Sequence, residues 1–370
     1  MQPDDWKGDA SVAKNKKVHI VGAGLSGMVA AINLAREGHQ VIVLDGAKKI
    51  GGVPPHHPSI HGTPMNFDLI RDYVGIDVTS FFSRIKNTYI YQNSKKYSVP
   101  SYECYAVERG PRETSLDTHL YSLAKELGVE FQFGQEVKNP YDLPDPTIIA
   151  TGLFREMAEA LDRPLIRLPV YSSRRKVTDP DLQGVGRTWF GPYTNTYGYG
   201  AILNNLDYLL LFTDRGDISP QDLKQFEEDL ERSEGIRIED WDYFEVVVPT
   251  ASAKAPKLFA GSKILAGTLS GMMEPGIYCG IHGAIVSGKV AALAVSDPEG
   301  AARDFTRFTS GYKKCWYTHR YVNNPQRQHF FKFFFSYPAV CRPLVQLIDT
   351  GIPGIDHYFA GLEAEYVGNY

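Results

Sequence analysis

Residues 18–45 are VHIVGAGLSGMVAAINLAREGHQVIVLD, and this stretch decides the fold. The first four residues, VHIV, are mostly apolar and predict a short buried strand. The glycine-rich turn at 22–27 follows, and the Ala- and Leu-rich residues 28–36 predict a helix. Residues 40–45 predict a second strand, which ends on an acid. Strand, turn, helix and strand in this order predict a parallel βαβ unit.

The turn has the G-x-G-x-x-G spacing of a dinucleotide-binding loop. Gly22 permits the tight turn, Gly24 lets the backbone approach a pyrophosphate, and Gly27 lets the helix pack against the strand. The helix N-terminus faces the phosphates with free N–H groups and a partial positive charge. Asp45, 18 positions after Gly27, would accept hydrogen bonds from the adenosine ribose. The predicted cofactor contacts also include Leu25 and Ser26, which lie in the turn.

The composition of the 370-residue chain narrows the function classes. A formal net charge of −4 and a pI of about 6.2 imply no strong basic face, which argues against a nucleic-acid partner. The four cysteines form no CxxC and no zinc-ligand spacing, so we expect no metal site. The polar N-terminal stretch lacks the apolar core of a signal peptide, and no apolar run approaches the roughly 20 residues of a membrane span. We therefore expect a cytoplasmic protein.

The residues that follow Asp45 indicate which dinucleotide binds. The chain continues GAKKIGG, so that Gly46 and the pair Gly51-Gly52 come soon after the acid. Such a pair is typical of FAD proteins, in which the chain turns back along the pyrophosphate towards the flavin. This similarity favours FAD over NAD as the bound cofactor.

Two further segments resemble parts of FAD oxidoreductases. PDPTIIATG (144–152) is similar to the segment that passes the cofactor on leaving the sheet, and it would bring Thr151 and Gly152 to FAD. In related flavoproteins an arginine just before the helix that corresponds to residues 115–127 reaches the cofactor phosphates. Arg109 or Arg112 could do so here, and Arg112 is the candidate we retain. Val137, at the end of VEFQFGQEV, completes this group.

Residues 264–295, ILAGTLSGMMEPGIYCGIHGAIVSGKVAALAV, predict a strand, a glycine-rich loop and a helix with small residues on its packed face. In two-part flavoproteins the N-terminus of this helix points at the flavin pyrimidine ring, and its positive end stabilises the anionic reduced flavin. The similarity assigns cofactor contacts to Pro275, Gly276, Gly280 and Ile281. The usual Gly-Asp pair at the head of the segment appears here as Gly267-Thr268, so a hydroxyl replaces the carboxylate that normally binds the ribityl chain.

The chain therefore predicts an α/β fold. It consists of a Rossmann-like FAD-binding domain, an inserted antiparallel-sheet substrate domain and a helical, aromatic-rich C-terminal segment. An amphipathic helix is expected at 115–127 and a charged helix after Ser219, which is its predicted N-cap, with Pro220 at the first helical position. The expected bounds are 15–55, 105–155 and 258–297 for the FAD-binding domain, 56–104 and 156–257 for the substrate domain, and 298–370 for the C-terminal segment.

The whole chain resembles the geranylgeranyl reductase-type group of FAD-dependent oxidoreductases. The resemblance depends on the segments quoted above and on VERGPRETSLDTHLYSLAKELGVEF (107–131). It implies reduction of a C=C bond of an apolar, isoprenoid-like substrate by hydride from flavin N5. Transiently bound NAD(P)H or a ferredoxin-like protein would donate the electrons. The wider superfamily includes aromatic hydroxylases, so a flavin-dependent monooxygenase acting on an aromatic substrate is an alternative, as is a non-catalytic flavoprotein.

The candidate catalytic residues lie just after the glycine pair, in the flavin-facing loop and in the substrate domain. VPPHHPSIHGTP (53–64) would pass close to the flavin, and a histidine there with a pKa near neutral could deliver a proton to an alkene carbon or bind flavin covalently. Three surface-loop histidines are an equally good interpretation. The full set of candidates, in order of preference, is His56, His57 and His61, then Cys279 and His282, then Tyr197 and Glu274.

A dense aromatic cluster lies in QRQHFFKFFFSYPAV (326–340) and consists of Phe330, Phe331 and Phe333 to Phe335, beside Arg327, His329 and Lys332. It would cover an apolar substrate tunnel or form part of an oligomer interface. Alternatively it would rest on a membrane surface and make the protein peripheral to the membrane, because aromatic and basic side chains favour the interface.

Overall fold

The computed structural model of the protein describes residues 15–52, 56–100, 104–276, 278–322 and 365–370. We number its elements in chain order. The helices are α1 Leu25–Arg36, α2 Phe67–Leu69, α3 Leu116–Glu126, α4 Arg155–Ala160, α5 Pro220–Glu234, α6 Ile281–Ser296, α7 Pro298–Phe308 and α8 Tyr312–Val322. The strands are β1 Lys17–Val21, β2 Gln40–Asp45, β3 Ser59–Pro64, β4 Phe82–Arg84, β5 Asn87–Gln92, β6 Lys95–Pro100, β7 Cys104–Arg109, β8 Glu130–Phe133, β9 Thr147–Ile149, β10 Ile166–Lys176, β11 Gly186–Phe190, β12 Gly198–Leu203, β13 Leu206–Phe212, β14 Asp242–Val248, β15 Phe259–Ala260, β16 Lys263–Leu265 and β17 Glu365–Asn369.

A six-stranded sheet in the order β15-β16-β9-β1-β2-β8 forms the first layer. Its strands are parallel except β15. The first two strands, KVHIV and QVIVLD, are buried over most of their length after an exposed first residue, as expected of strands covered on both faces. Helices α1 and α6 pack against each other so closely that a Cβ at Gly288 would lie 2.6 Å from the Ser26 carbonyl oxygen. Small residues on both helices therefore set this approach.

The carboxyl ends of three neighbouring parallel strands bring distant loops together. The Ala150 N–H donates to the Val21 carbonyl at 2.7 Å, and the Ala266 N–H donates to the Ile149 carbonyl at 2.9 Å. The loops that leave β1, β9 and β16 therefore lie side by side at one edge of the sheet. In open α/β sheets this edge is where ligands bind.

An eight-stranded, mainly antiparallel sheet forms a second layer, in the order β14-β10-β13-β12-β11-β5-β6-β17. In β13 the side chains alternate: Leu209 and Leu211 pack with Phe226 of α5, whereas Tyr208, Leu210 and Phe212 line a cavity on the other face. A three-stranded sheet, β3-β7-β4, lies beside it. The inserted sheet thus has one face on its own core and one face towards the first layer.

The predicted fold class is confirmed by this architecture. Ser219 caps α5 in a capping box with Asp222, and Pro220 is its first residue, as expected. The end of the chain departs from a wholly helical C-terminal segment, because Glu365–Asn369 is the strand β17 and pairs antiparallel with β6. The cluster Phe330 to Phe335 lies outside the described residues. None of the described helices is both long and apolar enough to span a membrane.

Candidate functional site

A cavity of about 580 Å³ extends from the carboxyl edge of the parallel sheet to the inner face of the eight-stranded sheet. This volume is within the usual range for small-molecule and cofactor sites. The end at the parallel sheet is lined by backbone of the first glycine-rich turn, and the other end by aromatic and aliphatic side chains of β10, β13 and β14. The cavity therefore has one polar end and one apolar end.

The glycine-rich turn leaves open space at its centre. A Cβ at Gly24 would meet no atom within 4 Å, and among the described residues no side chain caps the N-terminus of α1, which Gly24 precedes. Gly22 has a φ of +106°, and a Cβ there would lie 2.4 Å from the Ala150 carbonyl oxygen. Gly24, Leu25 and Ser26 line the cavity, whereas Gly27 packs against the Gly22 carbonyl outside the wall. This arrangement fits a phosphate group bound by backbone N–H groups.

Asp45 lies beside this turn and holds it. Its Oδ2 accepts the Ala23 N–H at 2.6 Å and its Oδ1 accepts the Ala47 N–H at 2.7 Å. Each carboxylate oxygen has a further lone pair, so the group can still accept ribose hydroxyls. Gly46, Gly51 and Gly52 also line the cavity, and the last two adopt φ values of +96° and +75°.

The segment after β9 contributes an unsatisfied hydroxyl. Thr151, Gly152 and Val137 line the cavity. The Thr151 Oγ1 is buried and has no hydrogen-bond partner in the described part of the chain. A buried polar group without a partner is costly, so this hydroxyl fits a bound polar ligand.

The arginine selected from the sequence is outside the wall. Arg112 pairs with Glu108 and donates to the Asn204 carbonyl at 2.9 Å. Arg109 lines the cavity instead and forms a bidentate pair with Asp117, at 2.7 and 2.8 Å. Burial by itself would raise the pKa of Asp117, but the charge of Arg109 holds it below its ordinary value. Arg109 is therefore the arginine that lies at the cavity, and a phosphate contact by Arg112 stays a prediction.

The second glycine-rich loop brings a second helix N-terminus to the cavity. Thr268, Gly280 and Ile281 line the wall, and among the described residues no side chain caps α6 at Gly280. Pro275 and Gly276, to which the sequence also assigned contacts, lie outside the wall. The buried Glu274 holds that part of the loop: it accepts the Gly276 N–H at 2.9 Å and the Cys315 thiol at 2.8 Å.

His56, His57 and His61 all line the cavity. His57 Nδ1 lies 2.8 Å from Ser59 Oγ, and the same oxygen lies 2.9 Å from His61 Nε2. Burial, reinforced by the charge of Arg109, lowers the pKa of His57 to about 3 and that of His61 to about 4. Both rings are therefore neutral at pH 7, and the expectation of a pKa near neutral is wrong for them. His56 stacks on Phe244 with ring centroids 4.4 Å apart, and burial also lowers its pKa.

The other catalytic candidates separate into two groups. Cys279 and Tyr197 line the cavity, and burial raises the pKa of both, so the thiol and the phenol keep their protons. His282 is 1% exposed and is absent from the wall, because the first turn of α6 directs it into the protein. Burial lowers the pKa of His282 to about 3.

Sequence reasoning missed the side chains that form the apolar end. The period-two pattern of β13 and β14, in which every second residue shares a face, was the signal that could have found them. They are Tyr208, Leu210, Phe212, Phe244 and Val246.

Comparisons with known proteins give the same fold. The family profile of the NAD(P)-binding Rossmann-like domain matches residues 20–68. The structure of a geranylgeranyl bacteriochlorophyll reductase-like protein from Thermoplasma acidophilum superposes with a TM-score of 0.63 at 17% identity, over 84% of this chain and 88% of that one. CtdE in complex with FAD gives a TM-score of 0.61 at 15% identity, over 88% of this chain and 100% of that one.

The protein has the fold of the FAD-dependent oxidoreductases. Among curated proteins, the flavin-containing monooxygenase FMO GS-OX2 of Arabidopsis thaliana is 40% identical over 60 residues. The matched residues are 16% of this chain and 13% of the length of that relative. The comparisons thus support FAD binding and an oxidoreductase class, and they include both reductase-like proteins and monooxygenases.

Proposed function

We propose that the protein is an FAD-dependent oxidoreductase that reduces a C=C bond of an apolar, isoprenoid-like substrate. The observation that carries the proposal is the continuity of one cavity, from the open backbone turn at Gly24 to the apolar face formed by Leu210, Phe212 and Val246. A dinucleotide at the polar end and an apolar chain at the other end would then meet beside α6.

The residues of the chain have separable roles in this proposal. The turn at Gly22 and Gly24 and the first N–H groups of α1 hold the pyrophosphate, and Asp45 orients the ribose. The N-terminus of α6 stabilises negative charge beside Thr268. When bound and reduced, FAD would supply a hydride. The apolar end excludes water and orients the alkene, and a protein group delivers the balancing proton.

Two electron donors fit the proposal, NAD(P)H bound transiently or a ferredoxin-like protein. They are separated by adding each to the oxidised holoprotein without oxygen and following bleaching of the flavin absorbance. We also propose that the segment Phe330 to Phe335 contacts a membrane surface. Sedimentation of the protein with anionic vesicles tests this contact.

Monooxygenation of an aromatic substrate is the second candidate. It is favoured by the structural likeness to 2-methyl-3-hydroxypyridine-5-carboxylic acid oxygenase, with a TM-score of 0.59 at 15% identity over 84% of this chain and 94% of that one. The aromatic rings of Tyr197, Phe212 and Phe244 in the wall also suit a planar ligand.

One experiment separates the two reactions. The holoprotein is reduced with dithionite without oxygen and mixed with geranylgeraniol, and in parallel it is given NADPH, oxygen and a substituted phenol. Mass spectrometry that finds two added hydrogens in the first mixture supports the reductase, and one added oxygen atom in the second supports the monooxygenase. A purified protein that binds no FAD would overturn both.

A further inference from the structure

Ser59 bridges two histidines at the edge of the cavity. It is the first residue of β3 and is 1% exposed. Its Oγ lies 2.8 Å from His57 Nδ1 and 2.9 Å from His61 Nε2. The hydrogen bonds of the described residues pair each ring with Ser59 through its inner nitrogen. The outer nitrogens are His57 Nε2 and His61 Nδ1, and both rings line the cavity. His57 Nε2 points to the Gly51-Gly52 turn, since a Cβ at Gly52 would lie 3.5 Å from it.

Because Ser59 has only one hydroxyl proton, the tautomeric states of His57 and His61 depend on each other. A serine hydroxyl has one proton to donate, and each neutral imidazole carries one N–H. If His57 donates from Nδ1 to Ser59, then Ser59 donates to His61 Nε2, and His61 carries its own proton on Nδ1. If His61 donates from Nε2, every role is reversed. The two tautomers therefore change together when a proton passes through Ser59 Oγ.

We propose that His57, Ser59 and His61 form a neutral relay that delivers a proton to the substrate, an inference that rests on the proposed function. His61 Nδ1 gives its proton to the carbon or oxygen that receives it, as His61 Nε2 takes the Ser59 proton. Ser59 takes the proton from His57 Nδ1, and His57 Nε2 takes one from water. Water gives up one proton and releases hydroxide to the solvent, and one proton reaches the substrate. The triad therefore ends neutral in its other tautomeric state.

The surroundings explain why a relay is needed instead of a single charged histidine. Arg174 on β10, whose Nε donates to the Pro58 carbonyl at 2.7 Å, pairs with Asp242 and adds to burial in lowering the pKa of His56. Arg109 on the neighbouring strand β7 disfavours a positive charge on His57 and His61. Asp117 of α3 is engaged by Arg109 and offsets this only in part. Tyr208 of β13 lies against His61, with ring centroids 6.4 Å apart, and keeps its phenolic proton. A neutral ring that gives up its proton from one nitrogen stays neutral only if its other nitrogen takes a proton.

The test uses S59A, which removes the bridge and keeps both rings, and S59T, which keeps a hydroxyl. Ser122, whose hydroxyl donates to the Thr118 carbonyl on the surface of α3, gives the matched control S122A. Histidine 15N NMR of the flavin-free protein reports the tautomers without any need for turnover. Product formation per reduced flavin and its proton inventory in H₂O–D₂O mixtures report the relay at work.

We expect S59A to bind and reduce FAD like the wild type but to form product about 100-fold more slowly, which is the lower range of general acid catalysis. Its proton inventory should become linear, and the linked His57 and His61 tautomer signals should separate. S59T should restore both, and S122A should change neither. Wild-type tautomers and an unchanged, curved inventory in S59A would overturn the relay. Lack of FAD in the wild type would overturn the proposed function while the NMR still decides the relay's geometry.

Discussion

A methyl group at Gly24 should separate cofactor binding from folding. Gly24 has φ −76° and ψ −178°, which alanine adopts without strain, and its Cβ would meet no protein atom within 4 Å. Loss of a preferred glycine N-cap costs up to about 1 kcal/mol. The lower entropy of the unfolded chain offsets about 0.4–1 kcal/mol of that cost. We therefore expect G24A to change the free energy of unfolding of the flavin-free protein by less than about 1 kcal/mol.

Cofactor affinity should respond differently, because the open space at Gly24 is where a phosphate would approach the backbone. Displacing a charged group from its N–H donors costs about 1.5–3 kcal/mol, or about 10- to 150-fold in Kd. The assay is titration of the flavin-free protein with FAD, followed by quenching of flavin fluorescence. Thermal unfolding of the same samples by circular dichroism checks the fold.

Gly27 provides the contrast. A Cβ there would lie 1.9 Å from the Gly22 carbonyl oxygen, so G27A must push α1 away from β1. Such overpacking should destabilise the flavin-free protein by about 3 kcal/mol or more. A G24A variant that binds FAD with wild-type affinity would refute the placement of the phosphate, and one that unfolds like G27A would refute the open space.

Three further predictions follow from other parts of the site. D45N keeps one acceptor oxygen but turns an amide N–H₂ towards a backbone N–H such as that of Ala23, so FAD affinity should fall about 10-fold or more; a wild-type Kd in the same titration would contradict it. The pKa of His282 is about 3, below its unfolded value of about 6.5, so the unfolded chain binds the extra proton and stability falls by about 2 kcal/mol between pH 7 and pH 5. H282Q should lose this part of the acid dependence in urea unfolding, and equal losses in both proteins would show that His282 is not a buried neutral ring. L210W should fill the apolar end of the cavity and stop product formation while FAD binds within about twofold, whereas the surface control L182W should behave like wild type; an active L210W would place the substrate elsewhere.

The local patterns of the chain were sufficient for the βαβ unit. The spacing of Gly22, Gly24 and Gly27 and the position of Asp45 involve residues less than 25 positions apart, and their roles follow from backbone geometry that neighbours in sequence determine. The N-cap of α5 at Ser219 is local in the same sense.

Only the tertiary structure decided which of these polar groups meet at the cavity. Ser59 lies opposite Arg109 because β3 and β7 pair antiparallel, and no pattern in either strand contains that pairing. The same packing places Arg109 in the wall, leaves Arg112 outside it and buries His282. Burial and the charge of Arg109 then hold His57 and His61 neutral, because desolvation and distance to a charge depend on segments remote in sequence. Residue types therefore predicted a flavin-binding fold, and the packing of distant strands determined the protonation chemistry of its site.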